Sequence, residues 1–197
     1  MLGRARRGDR YTLRRKVLTV FGASFQVLDA EGRVIGFCRQ KAFEFREDIR
    51  IYTDETKSSE LLRLWTKQVI DIGARYEVHT PEGDLVCSLQ QSGIKSSFVR
   101  DEWKVFDPED SQIATITERG AVAPFVRRYG GSAAMIFPQR YHLNRGAKGD
   151  HIATFRQHFN PLIFKMGVAV HRDDSPLDEL SLIGAVALIA AIEGRQS

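Results

Sequence analysis

The sequence predicts a mainly β fold, a closed antiparallel barrel of about twelve strands around one buried hydrophobic helix near the C-terminus. Three observations lead to this prediction. A hairpin motif recurs along the chain, alternating segments of strand length fill the spaces between its copies, and one uniformly apolar segment follows them. No Pro-rich or Ser-rich linker divides the chain, so residues 11–197 are expected to form a single domain behind a basic N-terminal arm at residues 1–10.

The hairpin motif aligns without a gap in three copies. They read FQVLDAEGRVIGFC at 25–38, YEVHTPEGDLVCSL at 76–89 and WKVFDPEDSQIATI at 103–116. Each copy has an aromatic residue, then Val two positions later, an acidic turn, and a strand with a small residue at a fixed position. A fourth copy with one extra residue runs from Tyr141 to Phe155. The copies start at irregular intervals, which favours one sheet closed on itself over a propeller or a solenoid.

The turn of each copy contains residues suited to tight backbone conformations. Asp29 can bond its own backbone, Pro81 and Pro108 fix φ, and Gly follows Glu in the first two copies, where a positive φ is expected. Asp110 replaces that glycine in the third copy, and Asp is among the residues that tolerate a positive φ. The aromatic residues that begin the copies are expected to pack in the barrel: Phe25, Tyr76, Trp103 and Tyr141.

The remaining strands are predicted from alternation of apolar and polar residues between turn clusters. These segments are 11–21, 48–52, 61–72, 134–137 and 163–170.

The apolar segment near the C-terminus predicts a central helix over residues 176–193. Ser175 is the expected N-cap, Pro176 takes the first helical position and Asp178 follows in the first turn. Residues 180–192 are apolar on nearly every face, so this helix must be buried in protein or in lipid. Its length of roughly 20 Å at about 1.5 Å per residue is short of the roughly 30 Å hydrocarbon core of a bilayer. Burial inside the barrel is therefore favoured over a membrane anchor.

Charge is concentrated at the N-terminus. The chain has 29 Lys and Arg against 25 Asp and Glu, while residues 1–16 alone hold seven basic residues and one acidic residue. Because the rest is slightly acidic, nucleic acid is a disfavoured partner. We expect an anionic phospholipid or membrane surface as the partner, with an inert solvated arm or a protein partner as alternatives. The candidate lipid-binding residues are all basic: Arg4, Arg6, Arg7, Arg10, Arg14, Arg15, Lys16, Arg127 and Arg128.

Motifs for catalysis or cofactor binding are absent from the sequence, so we expect neither an enzyme nor a bound cofactor or metal. His142, His151 and His158 lie in and after the fourth hairpin, but no acidic residue or Cys accompanies them at metal-site spacing, which favours surface roles. Cys38 and Cys87 are too few for a disulfide scaffold and are expected to pack as small apolar residues. A reducing cytoplasm is the expected location.

Three segments carry a family resemblance: IYTDETKSSELLRLW at 51–65, ARYEVHTPEGDLVCSLQQ at 74–91 and SSFVRDEWKVFDPEDSQIATITERG at 96–120. Their most distinctive elements are the Arg-aromatic-x-Val pattern that begins at Arg75 and the Asp-Glu-Trp that begins at Asp101. With them, residues 10–192 resemble the tubby C-terminal-like superfamily, and most closely its bacterial LURP-one-related and phospholipid scramblase-like members. The resemblance implies a barrel of about twelve antiparallel strands around a hydrophobic C-terminal helix.

The resemblance also implies a function. Tubby proteins bind phosphoinositides through basic side chains on the barrel, which indicates a non-catalytic module for anionic membrane lipid at the inner face of the membrane. A scramblase-like membrane protein that moves phospholipid is one alternative, and a scaffold for an unknown protein partner is another. The calcium segment of scramblases has a faint counterpart in Asp173, Asp174, Asp178 and Glu179, half of which helix capping explains.

Overall fold

The computed structural model describes residues 8–16, 23–40, 48–66, 73–92, 102–119, 139–146, 149–158 and 163–193. Twelve strands and one helix lie in this part of the chain. The strands are β1 (Tyr11–Lys16), β2 (Ala23–Asp29), β3 (Val34–Gln40), β4 (Asp48–Tyr52), β5 (Glu60–Trp65), β6 (Arg75–His79), β7 (Leu85–Gln91), β8 (Glu102–Phe106), β9 (Gln112–Glu118), β10 (Arg140–Arg145), β11 (His151–His158) and β12 (Lys165–Val170), and the helix is α1 (Glu179–Glu193).

The strands form one closed barrel in which each strand pairs antiparallel with the next along the chain. β12 completes the barrel by pairing with β1, where Tyr11 lies opposite Val168 and Leu13 opposite Met166. Closure leaves no strand edge of the barrel unpaired. The predicted fold class is confirmed.

The hairpin copies share one register in three dimensions. In each ungapped copy the first residue pairs with the last: Phe25 with Cys38, Tyr76 with Leu89, and Trp103 with Ile116. The pairing of Tyr141 with Phe155 accommodates the extra residue of the fourth copy. A register shift follows the same motif position in all four copies, at Val27, Val78, Val105 and Leu143. Because such bulges bend and twist a strand, the repeated motif encodes repeated curvature.

A fifth hairpin, β4–β5, has the same bulge after Ile51, although the sequence alignment does not include it. Ile49 takes the place of the aromatic residue, and the turn is longer than in the other copies. The turn conformations agree with the prediction: Gly32, Gly83 and Asp110 have φ values of 84°, 99° and 67°.

The helix fills the lumen of the barrel. It packs against β1, β12, β5 and β7, which lie on opposite sides of the barrel. Residues 181–191 are all buried, and a Cβ at Gly184 would lie 3.1 Å from the side chain of Val78. Four aromatic side chains join this core, as expected: Phe25, Tyr76, Trp103 and Tyr141.

The helix begins later than the sequence predicts. Asp178 is the N-cap, because its Oδ1 accepts a hydrogen bond from the Ser181 amide at 2.7 Å and its carbonyl accepts from the Leu182 amide at 3.1 Å. Ser175 instead accepts from the Leu177 amide at 3.2 Å, in a turn before the helix. The prediction of Ser175 as N-cap is therefore wrong. Both residue types cap helices, but the carboxylate also interacts favourably with the helix dipole.

Strand positions differ from the predictions mainly at their ends. The predicted strands 11–21, 61–72 and 163–170 correspond to β1, β5 and β12, which are shorter within the described residues. The strand predicted at 134–137 lies outside the described residues.

Candidate functional site

The hairpin turns and the start of α1 lie at one end of the barrel, which we call the turn end. The up-and-down strand order places the following described residues there: 29–33, 53–59, 80–84, 107–111, 145–146, 149–150 and 171–179. These residues include 14 acidic and four basic ones, a net charge of −10. The whole chain has a net charge of +4, so the remaining residues together carry +14.

Several carboxylates at the turn end accept hydrogen bonds within their own turns. In three turns the first residue accepts a hydrogen bond from the amide four residues later: Asp29 from Arg33 at 2.8 Å, Thr80 from Asp84 at 3.2 Å, and Asp107 from Ser111 at 2.7 Å. In the β4–β5 turn, hydrogen bonds from Thr56 and Ser58 lower the pKa of Asp54 to about 2. These acidic groups stabilise the turns that contain them.

The acidic residues before α1 also have partners within the protein. Asp174 forms ion pairs with Arg172 at 3.0 Å and Arg145 at 2.9 Å, and Asp178 caps the helix. Among the described residues, no group of three or more His, Cys, Asp or Glu could hold a metal ion. Asp174 and Asp178, two of the four acidic residues that the sequence prediction compares with the scramblase calcium segment, are thus engaged in internal contacts.

The base of the basic arm is attached at the same end. Arg10 forms an ion pair with Glu179 at 2.8 Å and lies over the Tyr11 ring. Hydrogen bonds from Tyr11 and Arg10 lower the pKa of Glu179. This predicted lipid-binding residue is therefore already paired with a carboxylate.

The other predicted lipid-binding residues are distributed differently. Arg14 donates to Gln26, which donates in turn to Glu55 at 2.9 Å, so Arg14 is part of a chain of contacts on the outer wall. Arg15 has no side-chain partner among the residues that the structure describes. The remaining candidates, or their side chains, lie outside the described residues: Arg4, Arg6, Arg7, Lys16, Arg127 and Arg128.

Asp9 fixes the start of β1 against the outer wall of the barrel. Its side chain is fully buried, accepts a hydrogen bond from Arg156 at 3.1 Å, and lies 2.7 Å from Nε2 of His158. The carboxylate sits against Gly167 of β12, where a Cβ would clash with it. Glycine at this position therefore makes room for the acidic side chain.

A group of basic side chains lies beside Asp9 on the outer face of β9–β12. We call it the basic wall, and its members are Arg119, Arg140, His142, His151, Arg156 and His171. The His142 and His151 rings stack with centroids 4.3 Å apart, and the His151 and His171 rings are 4.7 Å apart. Thr154 lies at the centre, with Oγ1 3.0 Å from Nε2 of His151 and 2.9 Å from Nε2 of His171.

The arginines of the basic wall differ in their partners. Arg119 and Arg140 are adjacent, because the Arg119 amide donates to the Arg140 carbonyl at 2.6 Å. Both side chains are exposed, and neither has a hydrogen-bond or ion-pair partner among the described residues. Arg156, which lies opposite Arg140 in the β10–β11 pair, is bound to Asp9. The basic wall therefore contains two guanidinium groups available to a ligand.

The environment favours the neutral form of two histidines of the basic wall, His142 and His171. Burial lowers the pKa of His142, and the nearby His151, Arg119 and Arg140 lower it further. Burial also lowers the pKa of His171, with further contributions from His151 and Arg156. The largest charge effects on both histidines thus come from basic groups.

The histidines of the basic wall differ from those that the sequence groups together. From the sequence, His158 is grouped with His142 and His151. In the structure, His171 lies beside His142 and His151, and His158 contacts Asp9 instead. The signal that could have found His171 is register: Ala169 pairs with Thr154, so the end of β12 lies beside the start of β11.

The distinctive residues of the family resemblance have structural contacts. Arg75 donates to Ser88 at 2.8 Å, forms an ion pair with Asp110 at 2.6 Å and covers the Phe106 ring. Trp103 packs 6.0 Å from the Tyr76 ring in the core. These contacts link β6 to β7, β8 and the β8–β9 turn across the barrel surface.

The two cysteines are buried in the core, as expected. Burial raises the pKa of Cys38 to about 12 and that of Cys87 to about 11, so both thiols are protonated at neutral pH.

Comparison of the chain with known proteins found no match. No protein-family model, curated protein or solved structure is similar to it. The resemblance to LURP-one-related and scramblase-like proteins therefore stays a prediction. Within the described residues, no helix is both long enough and apolar enough to cross a membrane.

Proposed function

We propose that the protein is a non-catalytic binding module for anionic membrane lipid, of the phosphoinositide kind, on a barrel of the LURP-one-related, tubby-like type. The observation that carries this proposal is the uneven distribution of charge, with −10 in the described turn segments and +14 in the rest of the chain, which includes the basic arm. An anionic surface attracts the basic residues outside the turn segments and repels the turn segments themselves. Each basic residue close to such a surface contributes about 1 kcal/mol.

The interior of the barrel supports binding on the outside. Residues 182–191 of α1 occupy the lumen and are all apolar, and the thiols beside them are protonated. A charged headgroup would lose its hydration in such a core without gaining a partner. The ligand surface is therefore expected on the outer wall, at the cytoplasmic face of the membrane, where anionic lipids are concentrated.

Liposome flotation tests the proposal. The protein is expected to float with phosphatidylcholine vesicles that contain phosphatidylserine or a phosphoinositide. With vesicles of phosphatidylcholine alone, it is expected to remain in the bottom fraction. Binding should weaken as salt is raised from about 0.1 M to about 0.5 M, because exposed charges are then screened. Equal flotation with neutral and anionic vesicles would contradict the proposal.

Variants then separate the arm from the rest of the surface. Replacing Arg4, Arg6, Arg7 and Arg10 with Ala tests the arm, and the matched control Arg33→Ala and Lys57→Ala removes positive charge from the turn end. We expect the control to bind anionic vesicles about as well as the parent protein, because these two residues lie in the acidic turns. Transfer of a fluorescent phospholipid between leaflets would instead favour the scramblase-like alternative.

A further inference from the structure

We infer that the basic wall is a binding site for a phosphate-bearing anion and that it binds this anion more tightly at mildly acidic pH than at neutral pH. The inference rests on the proposed function, because it assigns a site and a regulation to the same lipid recognition.

Several hydrogen-bond donors lie together on the basic wall. The three imidazoles form a continuous surface across β10, β11 and the segment after β12, and Arg119 and Arg140 flank it with guanidinium groups that have no partner among the described residues. Guanidinium and protonated imidazole are the side chains best suited to bind phosphate oxygens. None of these donors belongs to the basic arm, so this surface is a separate place for an anion to bind.

The Thr154 hydroxyl lies between His151 and His171 and responds to the protonation of His171. Nε2 of His151 also lies 3.0 Å from the Ala153 carbonyl, which can only accept, so this nitrogen carries a hydrogen. The Thr154 hydroxyl then donates its single hydrogen to Nε2 of His171. When His171 is protonated, its Nε2 becomes a donor and Thr154 must accept from it. The hydroxyl hydrogen is then released and can turn outward to a bound anion.

No described carboxylate forms an ion pair with the three histidines of the basic wall. On β9 and β10 the outward groups around His142 are Thr117, Arg119, Arg140 and Asn144. On β11 and β12 they are Thr154, Arg156 and Ala169.

Three acidic residues close to the basic wall already have basic partners: Asp9 is bound to Arg156 and His158, Asp150 to Arg172 at 2.9 Å, and Asp174 to Arg172 and Arg145. Three more lie nearby without contacting its histidines: Glu102 opposite Thr117, Glu118 opposite Tyr141, and Asp173 after Arg172. Among the described histidines, ion pairs form at His79 and His158 and not at the three of the basic wall. Protonating the three histidines of the basic wall therefore adds charge that no described carboxylate contacts.

Linkage connects these observations. Stacked imidazoles 4.3 Å apart repel one another when both are charged, and a bound anion relieves this repulsion. An anion that binds the protonated form must raise the pKa values of His142 and His171, which lie below the usual value in the free protein. By the same coupling, a fall in pH strengthens anion binding.

Flotation at two pH values tests the inference on the full chain, with a chelator present so that no metal contributes. With phosphatidylserine vesicles we expect the dissociation constant to be at least about tenfold lower at a pH of about 5.5 than at about 7.5. Each positive charge added by protonation should lower the dissociation constant about fivefold. The triple variant His142→Gln, His151→Gln and His171→Gln should lose this pH dependence, and the matched control His79→Gln, on β6, should keep it. The double variant Arg119→Gln and Arg140→Gln should bind more weakly at both pH values.

The outcomes distinguish the two proposals. No binding at either pH overturns the proposed function. Equal binding at both pH values, or a pH dependence that survives in the triple variant, overturns the inference alone. A gain-of-function variant, His151→Lys with His171→Lys, should bind at neutral pH as the parent does in acid, and it remains informative if the glutamine variant is unstable.

Histidine resonances identify the source of the phosphate. Titration with inorganic phosphate followed by NMR should raise the pKa values of His142 and His171. If vesicles bind but phosphate has no effect, the site binds a lipid headgroup only at a membrane surface. If phosphate acts and vesicles do not, the ligand is a soluble phosphate compound. If neither shifts these two histidines, the inference is overturned.

Discussion

The turn end and the basic wall both contain several ionisable side chains, but the two regions differ in how many of them are paired. At the turn end, carboxylates cap the helix, close the hairpin turns and pair with Arg10, Arg145 and Arg172. On the basic wall, Arg119 and Arg140 have no partner within the described residues. Net charge is largest at the turn end, but charged side chains without partners among the described residues lie on the basic wall. The basic wall is therefore the better candidate for a ligand site. A ligand gains most from charges that the fold has left unpaired.

The largest expected effect removes the core that supports both regions. Ala187→Asp places a carboxylate in the middle of α1, in a core without a cationic partner, at a cost of several kcal/mol. We expect the whole barrel to unfold, as followed by circular dichroism and thermal melting. Val34→Asp is the matched control, because Val34 is exposed and should tolerate the charge. An unchanged melting temperature for Ala187→Asp would show that the helix is not the core.

The next largest effect is a loss of stability together with a gain of net positive charge on the basic wall. Asp9→Asn removes the wall's buried counter-charge, which should lower the free energy of unfolding by about 2 kcal/mol because hydrogen bonds to charged groups are lost. It should also strengthen binding to anionic vesicles, since Arg156 is released. Asp150→Asn, which removes an exposed ion pair, should change stability by less than about 1 kcal/mol. Weaker vesicle binding by the Asp9 variant would argue against the basic wall as the anion site.

A smaller effect is expected at the turn end. Asp107→Ala removes the hydrogen bond from the Ser111 amide and should cost about 1 kcal/mol of unfolding free energy in urea denaturation. Glu109→Ala changes an exposed carboxylate of the same turn and should be nearly neutral. If the two variants lose equal stability, the hydrogen bond from the Ser111 amide is not what Asp107 contributes to the turn.

The smallest effect is the dependence of stability on pH. The pKa values of His142 and His171 are lowered in the folded protein, so the unfolded chain binds protons more readily between pH 7 and 5. Thermal stability should therefore fall as the pH decreases through this range, before paired carboxylates such as Glu179 are protonated. The triple His-to-Gln variant should show a flatter profile, and added phosphate should partly restore the parent's stability in acid. A flat profile in the parent protein would contradict this account.

The repeated features of the fold were accessible from the sequence because they are local. Phe25, Tyr76 and Trp103 mark equivalent strand starts, and Asp110 has the positive φ that its place in the motif predicts. The β4–β5 hairpin escaped the alignment because its register is shared but its side chains are not.

Features that depend on competition or distance were not accessible. Ser175 and Asp178 are both good helix caps, and only the observed hydrogen bonds show which one begins the helix. The basic wall requires the register of four neighbouring strands, because Arg119, His142, Thr154 and His171 belong to four different segments. Most of the predicted lipid-binding residues lie outside the described part of the chain, so their role stays a prediction.

The position of the helix within the barrel has a consequence for biosynthesis. All twelve strands precede α1 along the chain, and the pairing of β1 with β12 joins segments more than 150 positions apart. While the chain is emerging from the ribosome, the strands have neither the partner that closes the ring nor the side chains that fill its centre. Such distant contacts make folding slow and leave apolar surface open to aggregation. We therefore expect folding to finish only after translation has passed the helix, with chaperones protecting the incomplete barrel until then.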